Sequence, residues 1–227
     1  NTDHRQGFPV LPGALPVLGH MPSLYNDALG MLRRGHETLG PAFWVHFGFG
    51  AWRLFCLGKE SFELLKHPGL SSEKGYADLR FIAGHSLIAQ DGAAHRRIRT
   101  TLGPTFAPPG LAGSGAGELA AEVVTRWAED RATRDHVVVL PEAQELALDI
   151  LFRATGVRDR DFASWRKNYN EFALGVYPIP INLPGFPRHR SLRGGKALDE
   201  KLRELIATTR KNPHEPGMIH TLIDARD

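Results

Sequence analysis

The stretch Asp91-Gly-Ala-Ala-His95-Arg96-Arg97-Ile-Arg99-Thr-Thr-Leu-Gly-Pro-Thr-Phe-Ala-Pro108 carries three arginines and a histidine within five residues. His95 and Arg99 are four residues apart, so on a helix their side chains share one face and can direct donors at one anion. A carboxylate is the ligand that suits this pair, because arginine can bind it with two parallel hydrogen bonds. Arg96 and Arg97 would point elsewhere, towards solvent or a partner. On pattern alone, a solvated basic helix face explains these residues at least as well.

Helical patterns dominate the chain on both sides of this stretch. Apolar spacing and the positions of proline predict helices at 27–39, 59–67, 92–103, 117–130, 141–155, 159–174, 189–211 and 216–225. Two β-rich runs, 42–49 and 52–57, flank a glycine-containing turn and predict a hairpin. The sequence therefore predicts a mainly α fold with a small β element and no internal domain boundary.

The segments between these elements carry further expectations. Residues 8–22 contain four prolines and predict an extended strap over the core, which buries Val10, Leu11, Leu15, Val17 and Leu18. A polyproline ligand for a partner domain is the alternative. The sequence also predicts the structure of four connecting segments: an irregular region at 69–90, a flexible loop at 113–117, a short strand at 136–140 and an ordered apolar loop at 177–187. Residues 1–7 are expected to be disordered.

The overall composition limits the class of protein. With 42% hydrophobic and 23% charged residues, the 227-residue chain can bury a core. Its net charge of +3 permits an acidic partner, but no aromatic-plus-basic strand indicates nucleic acid. The single cysteine, Cys56, excludes a disulfide framework and is interpreted as a small buried apolar residue. No apolar run reaches ~18 residues, so no membrane-spanning helix is expected.

The motif Asp-Gly-x-x-His-Arg-Arg-x-Arg, followed by Phe-Ala-Pro, resembles the C-helix region of cytochromes P450. The order of elements is also similar: a proline-rich strap, a helix, a β pair, a short helix, a long loop at 69–90 and then successive helices. The resemblance covers nearly the whole chain and implies the amino-terminal half of a P450-like fold. It also implies that His95 and Arg99 hold a propionate of haem.

Later motifs of the family are missing from this sequence. The oxygen-activating I helix, the Glu-x-x-Arg of the K helix and the Phe-x-x-Gly loop with its haem-ligating cysteine would all follow Asp227. Cys56 lies in the early β run without such a loop before it, so it does not replace that ligand. Residues 1–227 are therefore expected to form one incomplete, truncated domain with no catalytic residue and no metal ligand. Haem would bind only when a carboxy-terminal half completes the pocket.

The resemblance also implies a function for the complete protein. It would be a soluble, cytoplasmic, bacterial-type haem-thiolate monooxygenase that hydroxylates an apolar small molecule. The residues expected to line or cover the substrate are Leu79, Phe81, Ile82, Leu87, Phe172, Val176 and Ile179. Arg96 and Arg97 would help an acidic redox partner such as a ferredoxin to dock, with an affinity that falls as salt rises.

Two other functions stay open at this stage. The half-fold could persist without haem as a non-catalytic binding module and bury its open face by self-association, because monomers rarely tolerate large apolar patches. It could also be an unrelated helical domain whose basic helix binds some other anion.

Overall fold

Helices dominate the computed structural model, which describes residues 4–59, 61–84, 86–157, 162–177, 179, 181–212 and 214–224. The long helices are α1 (Met21–Leu39), α5 (Gly92–Phe106), α7 (Ala116–Ala132), α8 (Val139–Thr155), α9 (Phe162–Ala173) and α10 (Pro187–Lys211). The short ones are α2 (Ser61–Leu64), α3 (Ser72–Gly75), α4 (Arg80–Ala83), α6 (Pro108–Gly113) and α11 (Met218–Asp224). Single 3₁₀ turns cover Ala77–Leu79, Leu87–Ala89 and Leu174–Val176. The prediction of a mainly α fold with a small β element is confirmed.

The β element consists of two antiparallel pairs. β1 (His4–Arg5) pairs with β2 (Phe8–Pro9), and β3 (Ala42–His46) pairs with β4 (Trp52–Cys56) as the predicted hairpin. Along β3, Phe43 and Val45 are fully buried and alternate with half-buried neighbours, which is the period of two expected of a strand. Together with Leu11 and Met31 they form the core cluster of the amino-terminal region.

His4 and Arg5, which lie in the segment 1–7 that the sequence predicts to be disordered, pair with Phe8–Pro9. Residues 1–3 lie outside the described part of the chain, but His4 and Arg5 form a strand. The indole Nε1 of Trp44 donates a hydrogen bond to the Arg5 carbonyl at 2.8 Å and ties this strand to the hairpin. A contact across 39 positions of the chain has no local signature in the sequence.

The strap covers the core at fewer positions than the sequence predicts. Leu11 is buried, and its backbone N–H donates to the Trp44 carbonyl at 2.9 Å. Leu15, Val17 and Leu18 are exposed instead of buried. The reason is a tight reversal of the chain, in which the N–H of Leu15 bonds the carbonyl of Gly19 and the reverse bond also forms.

The helix that carries the basic stretch extends further than predicted. α5 continues through Pro104 and ends at Phe106. The end is set by Ala107, which precedes Pro108 and adopts extended backbone at φ −74° and ψ 156°. After α6, the predicted flexible loop is a tight turn, in which Gly115 takes a left-handed φ of 66° directly before α7.

Three further local predictions are wrong. Residues 136–138 are irregular and α8 begins at Val139, so no strand forms at 136–140. The Glu142 carboxylate accepts a hydrogen bond from the Val138 N–H at 3.1 Å, which supports the helix start against the β preference of the valines. The helix predicted at 59–67 is reduced to the single turn α2 among its described residues. Cys56 is half-buried, because every residue of β4 is only partly covered.

The later helices pack in pairs, α7 with α8 and α9 with α10. Phe152, Val157 and Trp165 form the core cluster of this region, with Leu198 and Leu205 of α10 packed against it. α10 is the longest helix at 25 residues. None of the helices in the described ranges is both long enough and apolar enough to cross a membrane.

Candidate functional site

The basic stretch forms the first two turns of α5. His95 is half-buried and Arg99 is exposed, and their spacing of four puts both on one side of the helix. Neither side chain makes a hydrogen bond within the described residues, so their donors are available to an anion, and His95 also lies near enough to the Asp91 carboxylate to interact with its charge. Arg96 and Arg97 are exposed on the same helix. The roles predicted for these four residues stay predictions.

Asp91 fixes the start of α5 against the preceding loop. Its carboxylate accepts hydrogen bonds from the Ser71 hydroxyl at 2.5 Å and from the backbone N–H groups of Ser72 at 2.9 Å and Glu73 at 3.3 Å. The Ser71 bond is the main cause that lowers the pKa of Asp91. The two backbone bonds and the nearby His95 act in the same direction, against a partial desolvation. Asp91 therefore satisfies the first two N–H groups of α3, from residues 19 and 18 positions earlier in the chain.

A cavity of about 660 Å³ opens between the β3–β4 hairpin, residues 78–81 and the segment that leads into α10. Its volume suits a small organic molecule. The apolar and aromatic lining includes Phe49, Trp52, Leu79, Phe81, Tyr177 and Ile179. Its charged lining consists of Arg5, Arg53, Asp78 and Arg188. Because three of these are arginines, we call it the arginine cavity.

The structure brings three of the seven predicted substrate residues together in the arginine cavity, namely Leu79, Phe81 and Ile179. The other four do not line it. Ile82 and Phe172 contact Gly175 and Gly195 respectively, at the packing surface of α10. Leu87 is half-buried in its 3₁₀ turn, and Val176 is exposed.

Sequence reasoning missed the arginines of this cavity. The guanidinium carbon of Arg188 lies 4.5 Å from the ring centre of Phe81, and that of Arg5 lies 4.8 Å from the ring centre of Trp52. Arg53 donates to Asp78 at 2.7 Å and to the Trp52 carbonyl at 3.0 Å. These residues come from distant parts of the chain, so no spacing pattern could have grouped them.

An ion pair between buried Glu171 and exposed Arg193 joins α9 to α10. Glu171 is buried, and its carboxylate accepts hydrogen bonds from Arg193 at 2.8, 2.9 and 3.2 Å. The hydroxyl of fully buried Ser191 donates to the Phe172 carbonyl at 2.6 Å. Because both links lie close to the connection between the two helices, they hold the segment that carries Tyr177 and Ile179 in place.

The residues present fit the propionate edge of a haem. His95 and Arg99 offer side-chain donors that make no hydrogen bond within the described residues and that suit a propionate carboxylate. Within the described residues, no group of three histidine, cysteine, aspartate or glutamate side chains could hold a metal ion. Cys56 lies in β4, far along the chain from α5, and no described contact joins the two.

Comparison with known proteins gives a consistent family. No family model matches the chain. It is 33% identical over its whole length to cytochrome P450 BJ-4 homolog of Sinorhizobium fredii and covers 51% of that protein. It is 34% identical to cytochrome P450 BJ-4 of Bradyrhizobium diazoefficiens over 98% of its length and covers 50% of that relative. A shorter match of 73 residues, 36% identical, joins it to beta-amyrin 6-beta-monooxygenase of Solanum lycopersicum, with 30% of this chain and 15% of that protein covered.

Solved structures agree with the sequence relatives. The fold matches retinoic acid bound cyanobacterial CYP120A1 with a TM-score of 0.78 and 22% identity, over 97% of this chain and 51% of that one. It matches the cytochrome P450 PksS of Bacillus subtilis 168 with a TM-score of 0.66 and 16% identity, over 90% of this chain and 51% of that one. The chain thus spans about half the length of the relatives it matches. By sequence and by fold, it belongs to the cytochrome P450 family and corresponds to the amino-terminal half of its members.

Proposed function

We propose that this chain is the amino-terminal portion of a haem-thiolate monooxygenase that hydroxylates an apolar small molecule. The observation that carries the proposal is the pair His95 and Arg99, which share a face of α5 and whose side chains make no hydrogen bond among the described residues. Family relatives that match the chain from end to end support it. When bound, the haem supplies the iron that activates oxygen, and its thiolate ligand would come from a carboxy-terminal half.

In this proposal, α5 positions the cofactor. Arg99 donates paired hydrogen bonds to a propionate, and His95 donates a further one. The hydrogen bonds that Asp91 accepts from Ser71, Ser72 and Glu73 fix where α5 begins, and so set the position of both donors. Arg96 and Arg97 would attract an acidic redox partner such as a ferredoxin to the exposed side of the helix.

The arginine cavity would admit the substrate. Leu79, Phe81 and Ile179 supply apolar contacts there, and Ile82, Leu87, Phe172 and Val176 are proposed to contact the substrate deeper in the completed protein. A relative whose name states monooxygenation of beta-amyrin supports an apolar substrate class. The chain's contribution is to bind and orient the substrate and to exclude water.

The test uses a polypeptide in which this chain is joined to its carboxy-terminal half. Arg99→Ala should weaken haem affinity by about tenfold, because a charge-assisted hydrogen bond is lost. Haem affinity is measured from the haem-to-protein ratio after purification and from the rate of haem transfer to an excess of apomyoglobin.

Arg203→Ala is the matched control. Arg203 is an exposed arginine of α10 whose side chain pairs with Asp199, and its loss should leave haem content unchanged. Equal haem retention in the Arg99→Ala and control variants would count against the propionate role. Carbon monoxide difference spectra of the same samples report whether a thiolate holds the iron.

A second function is favoured by one specific observation. Val138, Val139 and Leu140, at the start of α8, expose more than half of their surface. Exposed apolar side chains next to one another mark surfaces that another protein segment covers. A haem-free module that self-associates through this surface is therefore the alternative.

A further inference from the structure

The charges of the arginine cavity are unbalanced. Arg5, Arg53 and Arg188 bring three guanidinium groups, whereas Asp78 brings the one carboxylate among the described lining residues. Asp78 is already paired with Arg53 at 2.7 Å. Within the described residues, Arg5 and Arg188 have no carboxylate partner. Two uncompensated positive charges therefore face the same cavity.

Aromatic rings hold these two arginines. The Arg188 guanidinium lies 4.5 Å from the ring centre of Phe81, and the Arg5 guanidinium lies 4.8 Å from that of Trp52 and 5.7 Å from that of Trp44. A guanidinium stacked on a ring keeps its N–H groups free to donate within its own plane. The stacking therefore orders both side chains in advance while leaving their donors available.

Apart from Gln6, the remaining lining is mainly apolar or aromatic and would contact a hydrocarbon body. Leu79 and Ile179 line the cavity, and Tyr177 adds an aromatic ring. A ligand that fits both features has an apolar body and an anionic group. A cationic ligand would be repelled by the two guanidinium groups that have no carboxylate partner. A neutral ligand would leave their positive charge without a counter-charge.

We propose that the arginine cavity recognises an amphipathic carboxylic acid, whose carboxylate is bound by Arg188 and Arg5. The proposal rests on the proposed function, because it names the substrate class of the same enzyme. Arg188 is the principal contact, since it lies at the start of α10, where the positive end of the helix dipole adds to its charge.

The test compares ligands that differ only in the head group. Decanoate, 1-decanol and decyltrimethylammonium are titrated, below their micelle concentrations, into the complete protein that contains this chain. Binding is followed by the quenching of tryptophan fluorescence and by calorimetry. Decanoate should bind about tenfold more tightly than 1-decanol, as a charge-assisted pair of hydrogen bonds allows, and the advantage should shrink as salt rises. The cationic analogue should bind more weakly than the alcohol.

Substitutions of Arg188 test whether this residue causes the preference for the carboxylic acid. Arg188→Gln should remove most of the preference for decanoate over decanol and leave the part that Arg5 contributes, while the affinity for decanol stays the same. Arg188→Lys, which keeps the charge but not the planar donor pair, should retain part of the ratio. Arg203→Gln removes the same charge from an exposed site on the same helix and should leave the ratio unchanged.

The decisive quantity is the acid-to-alcohol ratio, which a general loss of folding does not imitate. A ratio near one in the unmodified protein, no binding of either ligand, or a ratio unaffected by Arg188→Gln would overturn the proposal. Haem content and the carbon monoxide spectrum test the proposed function separately. A haem-thiolate protein that does not prefer decanoate would support the proposed function and contradict the proposal for the cavity. A protein that prefers decanoate but holds no haem would contradict the proposed function and support the proposal for the cavity.

Discussion

Asp91 shows how a single carboxylate can organise a site that it does not line. It receives three hydrogen bonds from residues 71–73 and stands immediately before the helix that carries His95 and Arg99. Its ordinary pKa of 3.8 is lowered in the folded chain, chiefly by the Ser71 hydroxyl. A lowered folded pKa means that the ionised group stabilises the fold above the unfolded pKa. That stability is lost as the pH falls through the folded value.

Asp91→Asn should therefore lower the stability of the chain at pH 7. The amide keeps one acceptor oxygen but loses the charge, so the hydrogen bonds to Ser71 and to the N–H groups of Ser72 and Glu73 weaken. The difference from the unmodified chain should begin to shrink as the pH falls below the unfolded pKa of about 4, and should disappear only below the lowered folded pKa, where the native carboxylate is itself protonated. Urea unfolding at a series of pH values measures this difference in the free energy of unfolding.

Comparison of the two proteins at each pH removes the contribution of other carboxylates. Glu122 and Glu142 also have lowered pKa values, caused mainly by hydrogen bonds from Arg153 and Arg131, and both remain in the variant. A stability difference that stays constant from pH 7 to pH 3 would show that the charge of Asp91 is not the cause.

Local spacing predicts the His95–Arg99 pair, because residues four apart on a helix share a face in any fold. It cannot predict which residues meet from distant parts of the chain. His20 is an example: its Nδ1 accepts the His46 N–H at 3.1 Å, so its Nε2 carries the proton and faces the Pro12 carbonyl at 3.3 Å. Nothing near position 20 in the sequence indicates that this histidine is buried and joins the strap to β3.

At the scale of elements, periodic helices were predictable and short segments were not. The helices predicted at 117–130, 141–155 and 189–211 each match a long helix of the structure, because their apolar residues repeat at helical spacing over several turns. The wrong strand at 136–140 rests on three valines, whose β preference the cap at Glu142 overrides. The arginine cavity could not be foreseen for a related reason: four separate parts of the chain meet in its lining.

The packing of α9 against α10 depends on one close approach. Gly194 of α10 faces the backbone of α9, and a Cβ at this position would lie 2.7 Å from the Asn168 carbonyl oxygen and 2.7 Å from the Phe172 nitrogen. Because those atoms are backbone, they cannot move aside as a flexible side chain does. Gly194→Ala should therefore push the helices apart and lower the free energy of unfolding by about 1–3 kcal/mol.

Gly117→Ala is the matched control for that substitution. Gly117 lies in α7, and a Cβ there would have no neighbour within 4 Å. Alanine favours the helix over glycine, so this variant should be neutral or more stable by up to about 1 kcal/mol. Urea unfolding midpoints compare the two variants, and equal midpoints would mean that the approach of α9 and α10 is not tight.

The chain presents apolar surface that its own fold does not cover. Val139 and Leu140 are 74% and 70% exposed at the start of α8, and Leu65, just after α2, is 72% exposed. The family relatives are about twice as long as this chain, which offers one explanation of what lies against such surfaces. Self-association of the chain offers the other, so the two proposed functions differ in what contacts residues 137–140.

Hydrogen exchange separates these two functions. If the chain belongs to a monooxygenase, the backbone amides of residues 137–140 should be protected in a polypeptide joined to its carboxy-terminal half, and that polypeptide should sediment as a monomer. The 227-residue chain alone should lack this protection at low concentration and should associate as its concentration rises. Val139→Lys combined with Leu140→Lys should shift the chain alone towards monomer, whereas Glu129→Lys, an equal charge change at an exposed site on α7, should not. Amides that stay unprotected in the longer polypeptide, with association that persists there, would favour the haem-free module.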